Sequence, residues 1–250
     1  MRVALITGGV SGLGLATAQR FAADGLVVIV ADLDGTRALE TAATLPGAGH
    51  WGIGMDVADE QSVITGFETA EARLGPVAVL ACFAGISSND GTRKSVALVD
   101  IELDEWEAVM LVNARGTFLC VREMMRRRMR HAVDHGRIIV VSSVAGQFGG
   151  IKSGSAYSAS KGAVLAMMKV AAREAAPMGM TVNALAPGSI DTPMLKQILA
   201  DETAPIAAAI PLKRIGMPDD VAAAASYLAS PGAAYVTGAT IDINGGIQMR

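Results

Sequence analysis

The chain has 250 residues, of which 51% are hydrophobic, and such a chain can bury a substantial core. This composition excludes an intrinsically disordered protein. The balance of 21 Lys and Arg against 24 Asp and Glu gives a formal net charge of −3, so no overall basic field favours nucleic acid as a partner.

Cysteine usage and hydropathy further narrow the class of protein. Cys82 and Cys120 lie in apolar stretches with no neighbour at metal-ligand spacing, so we expect buried thiols, a reducing compartment and no metal site. Met1 and Arg2 run directly into the apolar strand pattern 3–7, which favours a cytoplasmic protein over a secreted one. The longest uncharged run, 221–241, is broken at 230–232 by Ser-Pro-Gly, so no membrane span is predicted.

Short β-branched runs alternate with longer Ala-rich helical patterns along the chain. The runs are apolar on both faces, which is typical of parallel strands covered by helices on both sides. The predicted strands are 3–7, 27–31, 77–82, 137–142 and 181–185, and the predicted helices are 12–23, 36–45, 60–74, 102–129, 157–176 and 218–229. In such an open α/β sheet, ligands bind at the carboxyl ends of the strands.

No repeat, linker or shift in composition divides the chain, so we predict one domain over residues 1–250. Residues 189–217 are the least regular stretch, mixing prolines with apolar residues. We interpret this stretch as a mobile lid over a substrate, with an ordinary surface excursion as the alternative.

A glycine-rich turn, residues 7–14, joins the first strand to the first helix. Glycines there let the backbone approach a pyrophosphate, whose charge the helix N-terminus stabilises. The second strand ends at Asp32, where a carboxylate can accept hydrogen bonds from an adenosine ribose. That carboxylate would repel a ribose 2′-phosphate, so NAD is favoured over NADP as the cofactor. Arg37, the nearest cation, is interpreted as a helix-surface residue, and a tight turn beside a solvated Asp is the structural alternative.

Tyr157 and Lys161 are four residues apart in a predicted helix and therefore share one of its faces. An ammonium group this close would favour the phenolate and lower the pKa of the tyrosine, whose ordinary value is about 10. The pair therefore predicts acid/base chemistry, with oxidation accelerating toward alkaline pH as Tyr157 ionises.

Several motifs occur together in a characteristic order: TGxxxGxG at 7–14, Asp56 after the third strand, Asn113, Ser142-Ser143, Tyr157-x-x-x-Lys161, Pro187-Gly188 and a closing Ile-Asn-Gly-Gly at 243–246. In these motifs the chain resembles the short-chain dehydrogenases/reductases over nearly its whole length. The resemblance implies a Rossmann-type, doubly wound parallel sheet of about seven strands with helices on both faces. It also implies a nicotinamide cofactor and a homotetramer.

The resemblance also implies roles for individual residues. Tyr157 would be the general acid/base, Lys161 would also hold the nicotinamide ribose, and Ser143 would position the reacting oxygen. Asn113 would support a local helix distortion and a proton relay, with a purely structural amide as the alternative. Because adjacent strand residues point to opposite faces, only one of Ser142 and Ser143 can reach the site, and the family's serine is usually the second.

The implied ligand-binding residues fall into two sets. Predicted for the dinucleotide are Gly8, Ser11, Gly12, Leu13, Gly14, Asp32, Leu33, Asp56, Val57, Phe83, Ala84, Gly85, Tyr157, Lys161, Pro187, Gly188, Ile190 and Thr192. Predicted for the substrate are Ser143, Gln147, Tyr157 and Met194. The segment 87–94 is expected to edge the substrate pocket.

Two local features need separate interpretation. Cys82-Phe83 replaces the family's usual Asn-Asn, which puts the stability of the sheet there in doubt more than catalysis. The basic run 126–130 is interpreted as a solvated helix end whose cations face the negative helix pole.

The sequence therefore predicts an NAD-dependent oxidoreductase that interconverts a secondary alcohol and a ketone. The apolar lid favours a small, neutral substrate, although Lys152 and Arg214 are cations that could enter the pocket. One alternative is a 3-oxoacyl-(acyl-carrier-protein) reductase using NADPH. Against it, Asp134 and Met178 stand where the resemblance would place arginines that dock the carrier. The second alternative is a non-catalytic dinucleotide sensor, which the intact Ser-Tyr-Lys set makes improbable.

Overall fold

The computed structural model describes residues 2–87, 97–150, 153–199 and 203–249. Within this part of the chain, seven parallel strands form one sheet in the order β3-β2-β1-β4-β5-β6-β7. The strands are β1 Val3–Thr7, β2 Val27–Asp32, β3 Trp51–Gly54, β4 Val77–Cys82, β5 Arg137–Val141, β6 Thr181–Pro187 and β7 Thr240–Ile243. This arrangement confirms the predicted doubly wound α/β sheet.

Helices cover both faces of the sheet. They are α1 Gly12–Ala23, α2 Gly35–Thr44, α3 Glu60–Leu74, α4 Leu103–Val109, α5 Thr117–Arg130, α6 Ala145–Phe148, α7 Ser155–Ala175, α8 Pro193–Leu199, α9 Thr203–Ala209 and α10 Pro218–Ala229. One apolar core lies between the sheet and α3, α5 and α7, and a second lies between the sheet and α1, α2 and α10. Within the described ranges, no helix is both long enough and apolar enough to cross a membrane.

The five runs identified as strands agree with the structure to within two residues at each end. The strands without a delimited prediction, β3 and β7, are the two edges of the sheet. Each is four residues long, and all four residues of β7 are only half-buried. Because an edge strand is covered less completely, its apolar pattern is short and weak.

The helix predicted over 102–129 is in fact three consecutive segments. After α4, a π-helical turn spans Met110–Gly116, and α5 follows it. Asn113 lies in the middle of this turn. The distortion that the resemblance implied around Asn113 is therefore present, whereas the 3.6-residue periodicity alone predicted an unbroken helix.

Residues 189–217 are more regular than the sequence predicts. Short helices α8 and α9 occupy much of the stretch, and Pro193 is the first residue of α8, where proline is tolerated. A parallel bridge between Ile190 and Gly216 closes the base of the stretch. Residues 200–202 are outside the described part of the chain. The role of this stretch as a lid stays a prediction.

The basic run ends α5 in a buried ion-pair network, so the prediction of a solvated helix end was wrong for its central residues. The Arg128 side chain is 1% exposed and pairs with Glu71 of α3. Arg127 Nη1 lies 3.1 Å from Glu71 Oε2, and the Val77 amide donates to Glu71 Oε1 at 3.0 Å. The network therefore joins α3, α5 and the start of β4. The Glu71 carboxylate is 57 residues away from Arg128 in sequence, so no local sequence pattern could indicate this pairing.

Glu71→Gln is expected to lower the free energy of unfolding by about 2–4 kcal/mol, because it leaves the buried Arg128 guanidinium without its carboxylate, whereas Arg127 keeps Glu123 at 2.7 Å. The matched control is Glu60→Gln, since Glu60 pairs with Arg122 across the same two helices but is 48% exposed. That change should cost less than about 1 kcal/mol. Urea unfolding followed by circular dichroism measures the free energy of unfolding of both variants. Equal losses would contradict the argument that the buried ion pair stabilises the fold more than the exposed one.

Candidate functional site

Among the described residues, two adjoining cavities open at the carboxyl ends of the strands, where an open parallel sheet binds its ligands. The larger, here called the glycine groove, has a volume of about 420 Å³ and runs from the β1–α1 turn to Asp32 and Asp56. The smaller, here called the tyrosine pocket, has a volume of about 240 Å³ and contains Ser143 and Tyr157. Leu13, Thr192 and Met194 line both cavities.

The structure brings most of the predicted ligand-binding residues to these two cavities. In the glycine groove are Gly8, Ser11, Gly12, Leu13, Gly14, Asp32, Leu33, Asp56, Val57, Phe83, Ala84, Gly85 and Thr192. In the tyrosine pocket are Ser143, Tyr157, Pro187, Gly188, Ile190, Thr192 and Met194.

The glycine turn has no room for larger side chains. A Cβ atom on Gly14 would lie 2.1 Å from the Gly8 carbonyl oxygen, and one on Gly8 would lie 2.7 Å from the Ala84 nitrogen. Within the described structure, the Ser11 side chain caps no amide, and the first turn of α1 carries no acidic residue. The positive end of α1 is therefore open to an anion, and the turn fits the pyrophosphate of a dinucleotide.

The far end of the groove carries opposite charges. Asp32 ends β2, and Arg37 lies in the first turn of α2 and lines the same wall. No described residue forms an ion pair with the Arg37 guanidinium. Arg37 is exposed on α2, where the sequence placed it as a helix-surface residue, and it also belongs to the lining of the groove.

The Cys82-Phe83 departure leaves the end of β4 well ordered. Cys82 is buried in the core, and Phe83 packs against the core on the α1 side of the sheet. The Phe83 amide donates to the Thr7 carbonyl oxygen at 3.1 Å, and the Ala84 amide donates to Thr7 Oγ1 at 3.2 Å. The apolar pair thus replaces polar side chains without leaving the loop unsupported.

Ser143 and Tyr157 both line the tyrosine pocket, where their side chains are within hydrogen-bonding distance of each other. Burial raises the pKa of Tyr157, and the Ser143 hydroxyl opposes that rise. The direction is opposite to the one expected from Lys161 alone. Lys161 Nζ lies 5.6 Å from the centre of the Tyr157 ring, and burial, not this lysine, sets the direction of the shift in the pKa of Tyr157.

Lys161 is buried beneath Tyr157 on α7. Its Nζ donates to the Val141 carbonyl oxygen at 2.9 Å. Burial lowers the pKa of Lys161 from 10.5 to about 8. The Ser142 hydroxyl also contacts this lysine, because it donates to the Lys161 carbonyl oxygen at 2.8 Å. Both serines belong to the lining of the pocket, but the Ser142 hydroxyl is directed to the Lys161 carbonyl oxygen, whereas the Ser143 hydroxyl is near Tyr157. The role of Ser143 in the chemistry stays a prediction.

The fully buried Asn113 ties the π-helical turn to the groove. Its Oδ1 accepts from the Ile86 amide at 2.8 Å, and its Nδ2 donates to the Ile86 carbonyl oxygen at 2.9 Å and to Ser160 Oγ at 3.1 Å. Ser160 Oγ in turn donates to the Tyr157 carbonyl oxygen at 2.7 Å. Sequence reasoning did not select Ser160, although its place directly before Lys161 was visible. The amide is satisfied as a structural residue would be, so that alternative stays open beside a catalytic role.

Gln147, predicted to bind substrate, does not line the tyrosine pocket. Its Nε2 donates to Asp242 Oδ1 of β7 at 2.6 Å, which turns the side chain away, and its neighbour Phe148 lines the pocket instead. Arg214 pairs with Asp220 at 2.7 Å and also lies outside the pocket lining. Lys152 and residues 88–94 of the predicted pocket edge are outside the described part of the chain.

Several apolar residues that line the pocket were not selected as site residues from the sequence, among them Phe148 and Ile247. Leu195 and Ile206 also line the pocket, and both lie within the stretch 189–217 that was interpreted as a lid over the substrate. Ile247 comes from a segment distant in sequence from Tyr157, and no local pattern indicated that the two residues would meet.

Comparison with known proteins adds to this geometry. A family model described as enoyl-(acyl carrier protein) reductase matches residues 8–248. The chain is 37% identical over 248 residues to cis-4-hydroxycyclohexanecarboxylate dehydrogenase of Sinomonas cyclohexanicum, covering 98% of this chain and 96% of that protein. It is 36% identical over 253 residues to the 3-oxoacyl-(acyl-carrier-protein) reductase FabG of Escherichia coli, covering 99% and 98%. A short-chain type dehydrogenase/reductase from Mycobacterium marinum superposes with a TM-score of 0.91 at 32% identity, covering 100% and 96%.

Proposed function

Because the chain belongs to the short-chain dehydrogenase/reductase family of nicotinamide-dependent oxidoreductases, we propose that it interconverts a secondary alcohol and a ketone with NAD as its cofactor. The observation that carries the proposal is the meeting of Ser143 and Tyr157 over the buried Lys161, where the tyrosine pocket adjoins the glycine groove. The glycine turn and the open N-terminus of α1 would hold the pyrophosphate, and Asp32 would hold the adenosine ribose. When bound, the nicotinamide supplies or accepts the hydride.

The protein's own residues handle the proton and the reacting oxygen. Ser143 and Tyr157 would both hydrogen-bond that oxygen and fix its position. A phenol whose pKa is raised stays protonated at neutral pH and is ready to donate to the oxygen during ketone reduction. In the oxidative direction the same phenol must first lose its proton, so alkaline pH should favour oxidation. Lys161 would keep a positive charge beneath this site while it is protonated.

A small, neutral substrate suits the tyrosine pocket. Its lining combines many apolar side chains with a few hydroxyls, and no charged side chain occurs among the described residues that line it. Ligand sites commonly use such sparse polar groups to orient an otherwise apolar molecule. The Sinomonas relative is named for a substrate whose alcohol lies on a ring that also carries a carboxylate, so that relative supports the ring but not the neutrality of the substrate.

The carrier-protein reductase remains the nearest rival, because FabG is among the relatives. Asp134 is exposed, and Met178 is half-buried where a docking arginine was expected. An acidic carrier protein would find no cation at either position. Titration of this protein with an acyl carrier protein tests the rival, and specific binding would favour it over the small-alcohol proposal.

The first experiment follows reduced-nicotinamide absorbance with NAD or NADP and a panel of aliphatic, aryl, cyclic and polyol secondary alcohols. Turnover with NAD supports the proposal. Activity with NADP alone would overturn the cofactor assignment. Tight NAD binding without turnover across a broad panel would favour the sensor.

Asp32→Ala should shift the ratio of kcat/KM for NADP to that for NAD upward by about 10- to 100-fold, because it removes a negative charge from the site of a 2′-phosphate. Arg37→Ala is the matched variant on the same wall and should move the ratio the opposite way, since it removes the unpaired cation. Initial rates with each dinucleotide measure both ratios. A parent enzyme that prefers NADP, or an Asp32→Ala ratio equal to that of the parent, would contradict this reading.

We also propose a homotetramer. Large apolar side chains are exposed before and along α4 and α5, including Leu98, Val99 and Phe118, and contact with a second copy would cover them. Light scattering after size exclusion measures the mass, and a monomer at micromolar concentration would contradict the proposal. The cytoplasmic location stays a prediction.

A further inference from the structure

The closing Ile-Asn-Gly-Gly motif forms a tight turn after β7, here called the closing turn, residues 244–248. Gly245 and Gly246 have φ angles of +64° and +87°, which glycine adopts without strain. The buried Asn244 side chain ties the turn together: its Oδ1 accepts from the Gly246 amide at 2.8 Å, and its Nδ2 donates to the Gln248 carbonyl oxygen at 3.0 Å. The Ile247 amide donates to the Asn244 carbonyl oxygen at 3.3 Å. The turn is therefore a locally rigid unit.

The closing turn is also fixed against the segments beside the tyrosine pocket. The Leu212 amide donates to the Gly245 carbonyl oxygen at 3.2 Å. A Cβ atom on Gly245 would lie 2.5 Å from Ile210 Cγ2, and one on Gly188 would lie 2.9 Å from Asn244 Cβ. These contacts hold the turn between the loop after β6 and the chain after α9. The turn cannot move away from the pocket without breaking them.

Ile247 is the residue of the closing turn that lines the tyrosine pocket. Ile247 is 40% exposed, and Phe148, the last residue of α6, is 56% exposed. Ile206 also lines this cavity. Large apolar side chains that line a cavity while partly exposed are stabilised when an apolar ligand removes them from water.

From this arrangement, and resting on the proposed function, we infer that the closing turn is a fixed wall of the substrate site and that Ile247 limits the size of the substrate. The substrate class is a neutral secondary alcohol, or its ketone, whose body is a single saturated ring or a short branched alkyl group. A cavity of about 240 Å³ is small beside ligand sites of roughly 300–1,000 Å³, so a compact body fits better than a long chain.

The kinetic test compares cyclohexanol with 4-tert-butylcyclohexanol, which carries the same reacting group on a larger body. Ile247→Ala should raise kcat/KM for the larger alcohol by about 10-fold relative to cyclohexanol, and Ile247→Trp should lower kcat/KM for cyclohexanol by about 10-fold. The KM for the dinucleotide should stay unchanged. Met249→Ala is the matched control, because Met249 lies two residues further on, is 76% exposed and does not line the pocket.

The proposal that Ile247 limits substrate size would be rejected if its variants affected both alcohols equally, or if the Ile247 and Met249 variants had equal effects. A readout independent of turnover comes from isoleucine δ1-methyl NMR spectra during titration with cyclohexanol, with and without NAD. The Ile247 peak is identified by its loss in Ile247→Leu, and we expect it to move on titration.

A shift of the Ile247 peak without turnover would support the wall and count against the proposed dehydrogenase. If the alcohols are turned over, but the Ile247 peak does not shift and the Ile247 variants do not change the preference for alcohol size, the dehydrogenase is supported and the proposal that the closing turn limits substrate size is rejected. If cyclohexanol gives no turnover and no shift of the Ile247 peak, this substrate class is rejected for the pocket.

Discussion

Tyr157→Phe is expected to lower kcat by roughly 10²- to 10⁴-fold in both directions, the range that general acid/base catalysis supplies. The change removes one oxygen atom and leaves the ring in place. Ketone reduction loses its proton donor, and alcohol oxidation loses the group that takes up the proton. Ser143 would still hydrogen-bond the reacting oxygen, so substrate binding should weaken far less than kcat. Initial rates with NAD or NADH and the best alcohol–ketone pair measure the loss.

Dinucleotide binding separates this expectation from simple misfolding. Tyr157 is also among the residues predicted to contact the dinucleotide, but the glycine turn and Asp32 are in the other cavity and only one hydroxyl is removed, so Tyr157→Phe should change the Kd for NADH, measured by fluorescence titration, by less than about twofold. Tyr235→Phe is the matched control, since Tyr235 is fully exposed and lines neither cavity. A Tyr157→Phe enzyme with near-parent kcat would remove Tyr157 from the chemistry and reopen the question of the proton donor.

The sheet could be predicted from sequence because its central strands are apolar on both faces. The strand pattern also placed the glycine turn and Asp32 at strand ends, where both now line one groove. The four-residue edge strands gave weaker signals, because a strand with one neighbour needs less apolar surface. The π-helical turn was invisible to periodicity, since it changes the register of one turn and leaves the composition unaltered.

Side-chain direction and distant partners were the main failures. Gln147 and Phe148 are neighbours, yet Phe148 lines the pocket while Gln147 is held by Asp242, which is 95 residues away in sequence. Arg128 is buried for a similar reason, through Glu71. Both outcomes depend on contacts between segments far apart in sequence, which composition and spacing do not encode. For the same reason Ile247, which directly follows the closing motif 243–246, was not recognised as part of the pocket.

Lys161→Met is expected to lower kcat by roughly 10²- to 10³-fold, the loss typical when a fixed charge that stabilises the reacting groups is removed. Without the ammonium, the Tyr157 phenolate is less stable, so the rise of the oxidation rate with pH should move to higher pH. The pH profile of kcat/KM for oxidation, measured with NAD, tests this directly. A variant with lower activity but an unshifted profile would assign Lys161 to binding alone.

Although Lys161→Met should lower kcat, it should raise the free energy of unfolding of the protein without a bound dinucleotide. Below pH 8, Lys161 is protonated in both the folded and the unfolded chain, and its burial costs free energy. Between pH 8 and 10.5 the unfolded chain still binds this proton while the folded chain releases it, so this group makes the stability of the parent rise with pH. Lys161→Met lacks that dependence. It also leaves the Val141 carbonyl without its donor, which partly offsets the stability gained by removing the buried charge.

We expect the variant to be more stable than the parent by about 1–2 kcal/mol at pH 7, with the difference disappearing by pH 10.5. Urea unfolding across this pH range measures the gap, and a pH-independent difference would show that burial does not depress the lysine pKa. A residue that destabilises the empty fold and accelerates the reaction would have a functional reason to be there.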